Sequence, residues 1–67
     1  MIVYTPLWKI MQEKGFTTYT LRVKHRMSSS TIQRLRNNLS VSTSTLDDLC
    51  RLLGCSLSDV AEYVAEE

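Results

Sequence analysis

Apolar residues along the 67-residue chain fall into short stripes of helical period, separated by capping residues and breakers. In "TPLWKIMQEKG", Leu7, Ile10 and Met11 recur at i, i+3 and i+4, with Lys9, Gln12 and Glu13 on the outer side. Thr5 is the expected N-cap, Pro6 takes the first helical position, where a missing N–H does no harm, and Gly15 is the stop. Trp8 lies beside the stripe and is expected to cover its edge, and "MIVY" ahead of it predicts a short extended arm. "FTTYTLRVKHRM" has the poorest pattern: Phe16 and Leu21 mark a buried side, and Thr17 or Thr18 caps a short second helix ending near His25. In "MSSSTIQRLRNN", Ser28 is a good N-cap and Ile32 and Leu35 face inward. Asn37 and Asn38 can adopt the left-handed conformation that stops a helix. Two short helices joined this tightly, the second largely polar, have the form of a helix-turn-helix.

The remaining third predicts two more helices. Leu46, Leu49, Cys50 and Leu53 repeat at i, i+3, i+4 and i+7 between a Ser/Thr cluster and Gly54. Leu57, Val60, Ala61 and Val64 repeat the same spacing after Ser56, which forms a capping-box pattern with Asp59. The expectation is an all-α, compact five-helix unit occupying residues 1–67 as a single domain.

Charge sharpens this picture. Lys14, Arg22, Lys24, Arg26, Arg34 and Arg36 fall in residues 14–46 without a single acid. Residues 47–67 hold Asp47, Asp48, Asp59, Glu62, Glu66 and Glu67 against Arg51 alone, so a net charge of +1 conceals two opposed segments. The basic segment suits a polyanionic partner, the alternative being an ordinary solvated face. No apolar run is long enough to span a membrane and the start has no leader pattern, so a cytoplasmic location is expected. Cys50 and Cys55 match neither a zinc pattern nor a disulfide framework, and both are expected to be reduced. Cys50 lies on the core stripe, where it fits as a small hydrophobe. One histidine, no carboxylate or cysteine arrangement beside it and no glycine-rich phosphate loop leave catalysis without a foothold. No enzyme activity, cofactor, metal or small-molecule substrate is expected.

The segments "YTPLWKIMQEKG", "SSSTIQRLRNN", "VSTSTLDDLCRLLGC" and "LSDVAEYV", in this order and spacing, make the whole chain resemble the small Xre-type regulators. These are the helix-turn-helix family of the phage lambda repressor and Cro. The resemblance implies five helices, with the second and third forming the DNA-binding unit and the third entering the major groove of double-stranded DNA. It implies that Ser28 opens the recognition helix and that Ser29, Ser30, Gln33 and Arg34 read bases. Thr18 and Asn37 match positions where the family touches phosphates. The chain departs from its relatives at Arg26, where many have glycine, at Lys24, where they have an apolar or small residue, and at Arg36, where an acid is common.

Chemistry gives each of these residues a use beside a plainer one. The serines at the helix entrance serve as clearance and donors toward a duplex or simply as a capping cluster. Arg34 can bond guanine O6 and N7 together and Gln33 can take adenine in the same two-bond manner, or both are solvated. Arg22, Lys24, Arg26 and Arg36 would neutralise phosphates without reading sequence. His25 adds charge at mildly acidic pH or is incidental. Tyr4, Trp8 and Tyr63 lie outside the basic stretch and are expected to pack.

The resulting expectation is a sequence-specific transcriptional regulator, most simply a repressor, of bacterial or phage origin. Because one recognition helix reads only a few base pairs, a homodimer on two half-sites is expected, with the acidic last helix around Tyr63 and Val64, or the "MIVY" arm, as its surface. The alternative is a small protein-interaction module, an antitoxin or adaptor, which the same fold can also serve.

Overall fold

The computed structural model describes residues 1–65. Four helices follow one another: α1 (Thr5–Glu13), α2 (Thr18–Val23), α3 (Ser29–Arg36) and α4 (Thr43–Leu53). Two short strands, β1 (Ile2–Val3) and β2 (Glu62–Tyr63), pair antiparallel with Ile2 opposite Tyr63 and Val3 opposite Glu62. Among the described residues no helix is long and apolar enough to cross a membrane.

Local chemistry accounts for most helix boundaries. Ser28 and Ser42 sit in extended conformation ahead of α3 and α4, and each side chain accepts a hydrogen bond from a backbone N–H three residues on, at Thr31 and Thr45. Thr17, of the two threonines considered, caps α2 by accepting from the Thr20 N–H at 3.1 Å. Gly54 ends α4 in the left-handed conformation at φ 60°. At α1 the cap differs from expectation, because Tyr4 occupies that position without a side-chain cap bond and Thr5 is already helical. Tyr4 is instead part of the core.

The core is one cluster: Tyr4, Leu7 and Met11 from the first segment, Leu21 from α2, Ile32 and Leu35 from α3, Leu49 and Leu53 from α4, and Val60. All the helical stripes converge on it, with Trp8, Phe16, Leu46 and Cys50 packed at its margin. Both cysteines are free and half-buried.

The fifth helix is not formed. Leu57–Asp59 makes a single 3₁₀ turn, which the Ser56 N–H supports by donating to the Asp59 carboxylate at 3.2 Å, and the chain then extends into β2. Only Val60 of the anticipated stripe is buried, while Leu57 and Val64 are exposed. A segment this short gains few helical bonds for a costly nucleus, whereas pairing with β1 satisfies its backbone directly. Val64 N–H donates to the Met1 carbonyl at 2.8 Å, and the Met1 amino group donates to the Val64 carbonyl. The extended "MIVY" arm therefore exists as a strand docked on the C-terminal segment. Among the described residues the acidic last helix expected as a dimer surface does not form, and its Glu66 and Glu67 lie outside them.

Candidate nucleic-acid interface

The connection between α2 and α3 has the geometry on which the site depends. Arg26 adopts φ 56°, the left-handed region that favours glycine, and the Met27 N–H then donates to the Leu21 carbonyl at 3.0 Å. His25 stacks on Phe16 with ring centroids 5.9 Å apart, which gives this histidine a packing use. With Leu21, Ile32 and Leu35 buried, the angle of α3 against α2 is set from the core side.

On the outer side the two helices present a cleft of about 290 Å³ lined by Thr18, Tyr19, Arg22, Ser29, Gln33 and Arg36, floored by Ile32. The spacing explains the grouping. Thr18 and Arg22 are four apart on α2, and Ser29, Gln33 and Arg36 lie at i, i+4 and i+7 on α3. Arg36 bridges the helices by donating from Nη2 to Thr18 Oγ1 at 3.0 Å. No acid lines this cleft.

Of the residues expected to contact nucleic acid, Thr18, Arg22, Ser29, Gln33 and Arg36 come together here. Lys24 and Arg26 are exposed in the turn at the entrance of α3. Ser28 is engaged in capping: its Oγ lies 2.8 Å from Thr31 Oγ1 and 3.2 Å from Ser30 Oγ. Ser29 stands outside that network, exposed at the cleft. The serine run is thus a cap in part.

Arg34 lies apart from the cleft. Its Nε donates to the Ser40 carbonyl at 2.6 Å and its Nη2 to Ser40 Oγ at 3.1 Å, which clasps the guanidinium onto the loop after α3. Asn37, exposed at the end of α3, folds back on its own helix, its Nδ2 donating to the Gln33 carbonyl at 2.9 Å. Asn38, rather than Asn37, takes the left-handed stop at φ 55°. Its Oδ1 accepts from the Tyr4 N–H at 3.0 Å, and Tyr4 Oη donates to the Leu39 carbonyl at 2.8 Å, so the end of α3 is tied to the start of α1.

Tyr19 is the residue that sequence reasoning missed. It is 64% exposed at the edge of the cleft, one residue from Thr18 and three from Arg22. Its position two residues before buried Leu21 on a helix was the available signal, because such residues face opposite sides.

Electrostatically the face is a set of fixed cations and hydroxyl or amide groups without a nucleophile–base pair. The described residues contain no group of three or more His, Cys, Asp or Glu arranged to hold a metal. What the face offers is charge, donors and a narrow polar helix edge.

The fold has known counterparts. The family model of the Cro/C1-type helix-turn-helix DNA-binding domain covers residues 6–66. The crystal structure of the transcriptional regulator VanUg superposes with a TM-score of 0.88 at 31% sequence identity, over 97% of this chain and 87% of that one. No curated protein matches the chain.

Proposed function

Since the chain belongs to the Cro/C1-type helix-turn-helix DNA-binding domains, we propose that it binds a specific double-stranded DNA sequence and acts as a transcriptional repressor with α3 in the major groove. The observation that carries this reading is the acid-free cleft between α2 and α3, where Arg22 and Arg36 flank Ser29 and Gln33. A helix about 10–12 Å across enters a major groove about 12 Å wide, and the eight residues of α3 are about 12 Å long.

In this arrangement Ser29, Ser30, Gln33 and Arg34 face base edges. The short serines allow close approach, and Gln33 offers the paired donor and acceptor that match adenine. Arg34 reads guanine by exchanging its two bonds to Ser40 for the O6 and N7 acceptors, both partners of the present clasp being exposed. Thr18, Arg22, Lys24, Arg26, Ser28, Arg36 and Asn37 hold phosphates, with the Arg36–Thr18 bond placing two of them as a unit. The chain works as a homodimer on two half-sites, because one α3 reads too few base pairs for useful discrimination. Repression follows from occupying promoter DNA.

Titration of variants on an enriched duplex and on a scrambled one tests the division of labour. Gln33→Ala and Arg34→Ala are expected to lose about 1–3 kcal/mol on the enriched duplex alone and to relax its sequence preference. Arg22→Ala is expected to weaken both duplexes alike and lower the salt slope by about 0.9. Equal losses on both duplexes for Gln33→Ala and Arg34→Ala would contradict the base-reading assignment.

A further inference from the structure

The C-terminal end of α4 carries both cysteines of the chain. Gly54 turns the backbone there into the left-handed conformation, and the N–H groups of Gly54 and Cys55 both donate to the Cys50 carbonyl, the second at 3.1 Å. This is the Schellman form of helix ending, in which the residue after the left-handed one folds back over the residue five positions earlier and the two side chains ordinarily make an apolar contact. Here those two positions are Cys50 and Cys55, half-buried against the margin of the core with free thiols. In an uninterrupted helix residues five apart point roughly 140° away from each other, so the meeting of the two depends on the Gly54 turn.

We propose that Cys50 and Cys55 are a thiol pair that closes to an internal disulfide by exchange with a small disulfide such as oxidised glutathione, latching the end of α4 to the segment that leads into β2. The thiols already act on one another. Burial is the first cause that keeps the Cys55 thiol neutral, and Cys50 follows, through repulsion between the charged forms and through a thiol–thiol hydrogen bond. Cys50 is also reached from outside, because it lines a surface hollow of about 250 Å³ with Thr43, Leu46, Asp47 and Leu57. Cys50 is therefore the entry thiol and Cys55 the one that completes the bond.

The exchange runs in two displacements. The Cys50 thiolate attacks one sulfur of oxidised glutathione, a mixed disulfide forms on Cys50, and a glutathione thiolate leaves and is protonated by solvent. Cys50 can then no longer ionise, so its repulsion on Cys55 is gone. The Cys55 thiolate attacks the Cys50 sulfur, which forms the Cys50–Cys55 bond and expels the second glutathione. Two protein thiols are oxidised and one small disulfide is reduced to two thiols.

Incubating the dilute full chain in glutathione redox buffers, folded and in concentrated urea, and then trapping free thiols by acid and alkylation tests this. Arg51 lies between the two cysteines, so trypsin opens the loop and peptides 37–51 and 52–67 stay joined only where the bridge has formed. The joined peptide is expected as the main oxidised product of chains of monomer mass, with a bridging constant at least about tenfold larger in the folded chain than in urea. By linkage the bridged chain should melt at least about 5 °C above the reduced one. Cys50→Ala and Cys55→Ala should each stop at a glutathione adduct. A folded chain that collects adducts or links between chains without the joined peptide would overturn the proposal, as would one that bridges no more readily than in urea. Neither cysteine lines the α2–α3 cleft, so these results leave the DNA-binding reading to its own test.

Discussion

Replacing Asn38 with alanine removes two things at once. Asn38 holds φ 55°, a region that costs an ordinary side chain roughly 1–2 kcal/mol and asparagine less. Its Oδ1 is also the acceptor for the Tyr4 N–H, in partly buried surroundings where an orphaned donor costs about 1–3 kcal/mol. Together Asn38→Ala should destabilise the chain by about 2–4 kcal/mol, the backbone part being less than the full 1–2 because asparagine already carries some of that cost. That is a large share of the total, since 67 residues at about 0.05–0.15 kcal/mol each give about 3–10 kcal/mol. At about 4–8 °C per kcal/mol for a domain of this size, the melting temperature should fall by at least about 8 °C. Urea titration followed by circular dichroism measures the loss. Asn38→Gly separates the contributions, because it keeps the backbone conformation and loses the acceptor, and it should cost less than alanine. Asn38→Asp keeps an acceptor and tolerates the left-handed region, and should stay within about 1 kcal/mol of wild type. An alanine variant as stable as wild type, or a glycine variant less stable than alanine, would refute this account of the end of α3.

Three further substitutions or titrations have defined outcomes. Arg26→Gly should relieve the strain of a non-glycine residue at φ 56° and raise stability by about 0.5–1 kcal/mol, seen as a higher urea midpoint with an unchanged slope; a lower midpoint would refute the strain. The same variant should bind DNA more weakly, with a salt slope smaller by about 0.9, measured by titration at several salt concentrations. Ser28→Ala removes the cap on the Thr31 N–H and should cost about 1 kcal/mol in the same unfolding assay, whatever its effect on DNA. Burial, reinforced by Cys50 and Asp59, pushes the Cys55 thiol above its ordinary value, so it should alkylate more slowly near neutral pH than the same thiol in the denatured chain. Because the folded state favours the neutral thiol, the stability linked to Cys55 is fully present below the unfolded pKa and is lost as pH rises through the folded one. Alkylation of Cys55 against pH in the folded and the denatured chain, with the modified cysteine identified by peptide mass, checks the shift, and urea midpoints against pH check its link to stability.

Caps and stripes make most of the fold legible in the sequence. Ser28, Gly54 and the inward positions Leu7, Met11, Leu21, Ile32, Leu35, Leu49 and Leu53 are all where local pattern places them, because each is governed by neighbours within one or two turns. The last segment was not legible for the opposite reason. Leu57, Val60, Ala61 and Val64 fit a helical stripe, but β2 exists through Ile2 and Val3, about sixty residues away, and two-residue strands leave no periodic signal. Within the candidate site, residue types pointed to α2 and α3, while the reach of long side chains could not be read. Nothing local signals that Arg34 clasps Ser40 or that Arg36 meets Thr18. Arg26 is intermediate: its departure from the glycine common in similar chains marked the turn, and the positive φ gives the physical meaning of that difference.

The account stands most directly on whether this chain selects a DNA sequence. Selection from a pool of random duplexes, followed by titration of the enriched duplex at two salt concentrations, measures that. The account predicts a recurring two-fold motif whose binding weakens steeply with salt and whose sequence preference relaxes in Gln33→Ala. A pool that stays random, or binding nearly flat with salt, would contradict the central claim and turn attention to a protein partner.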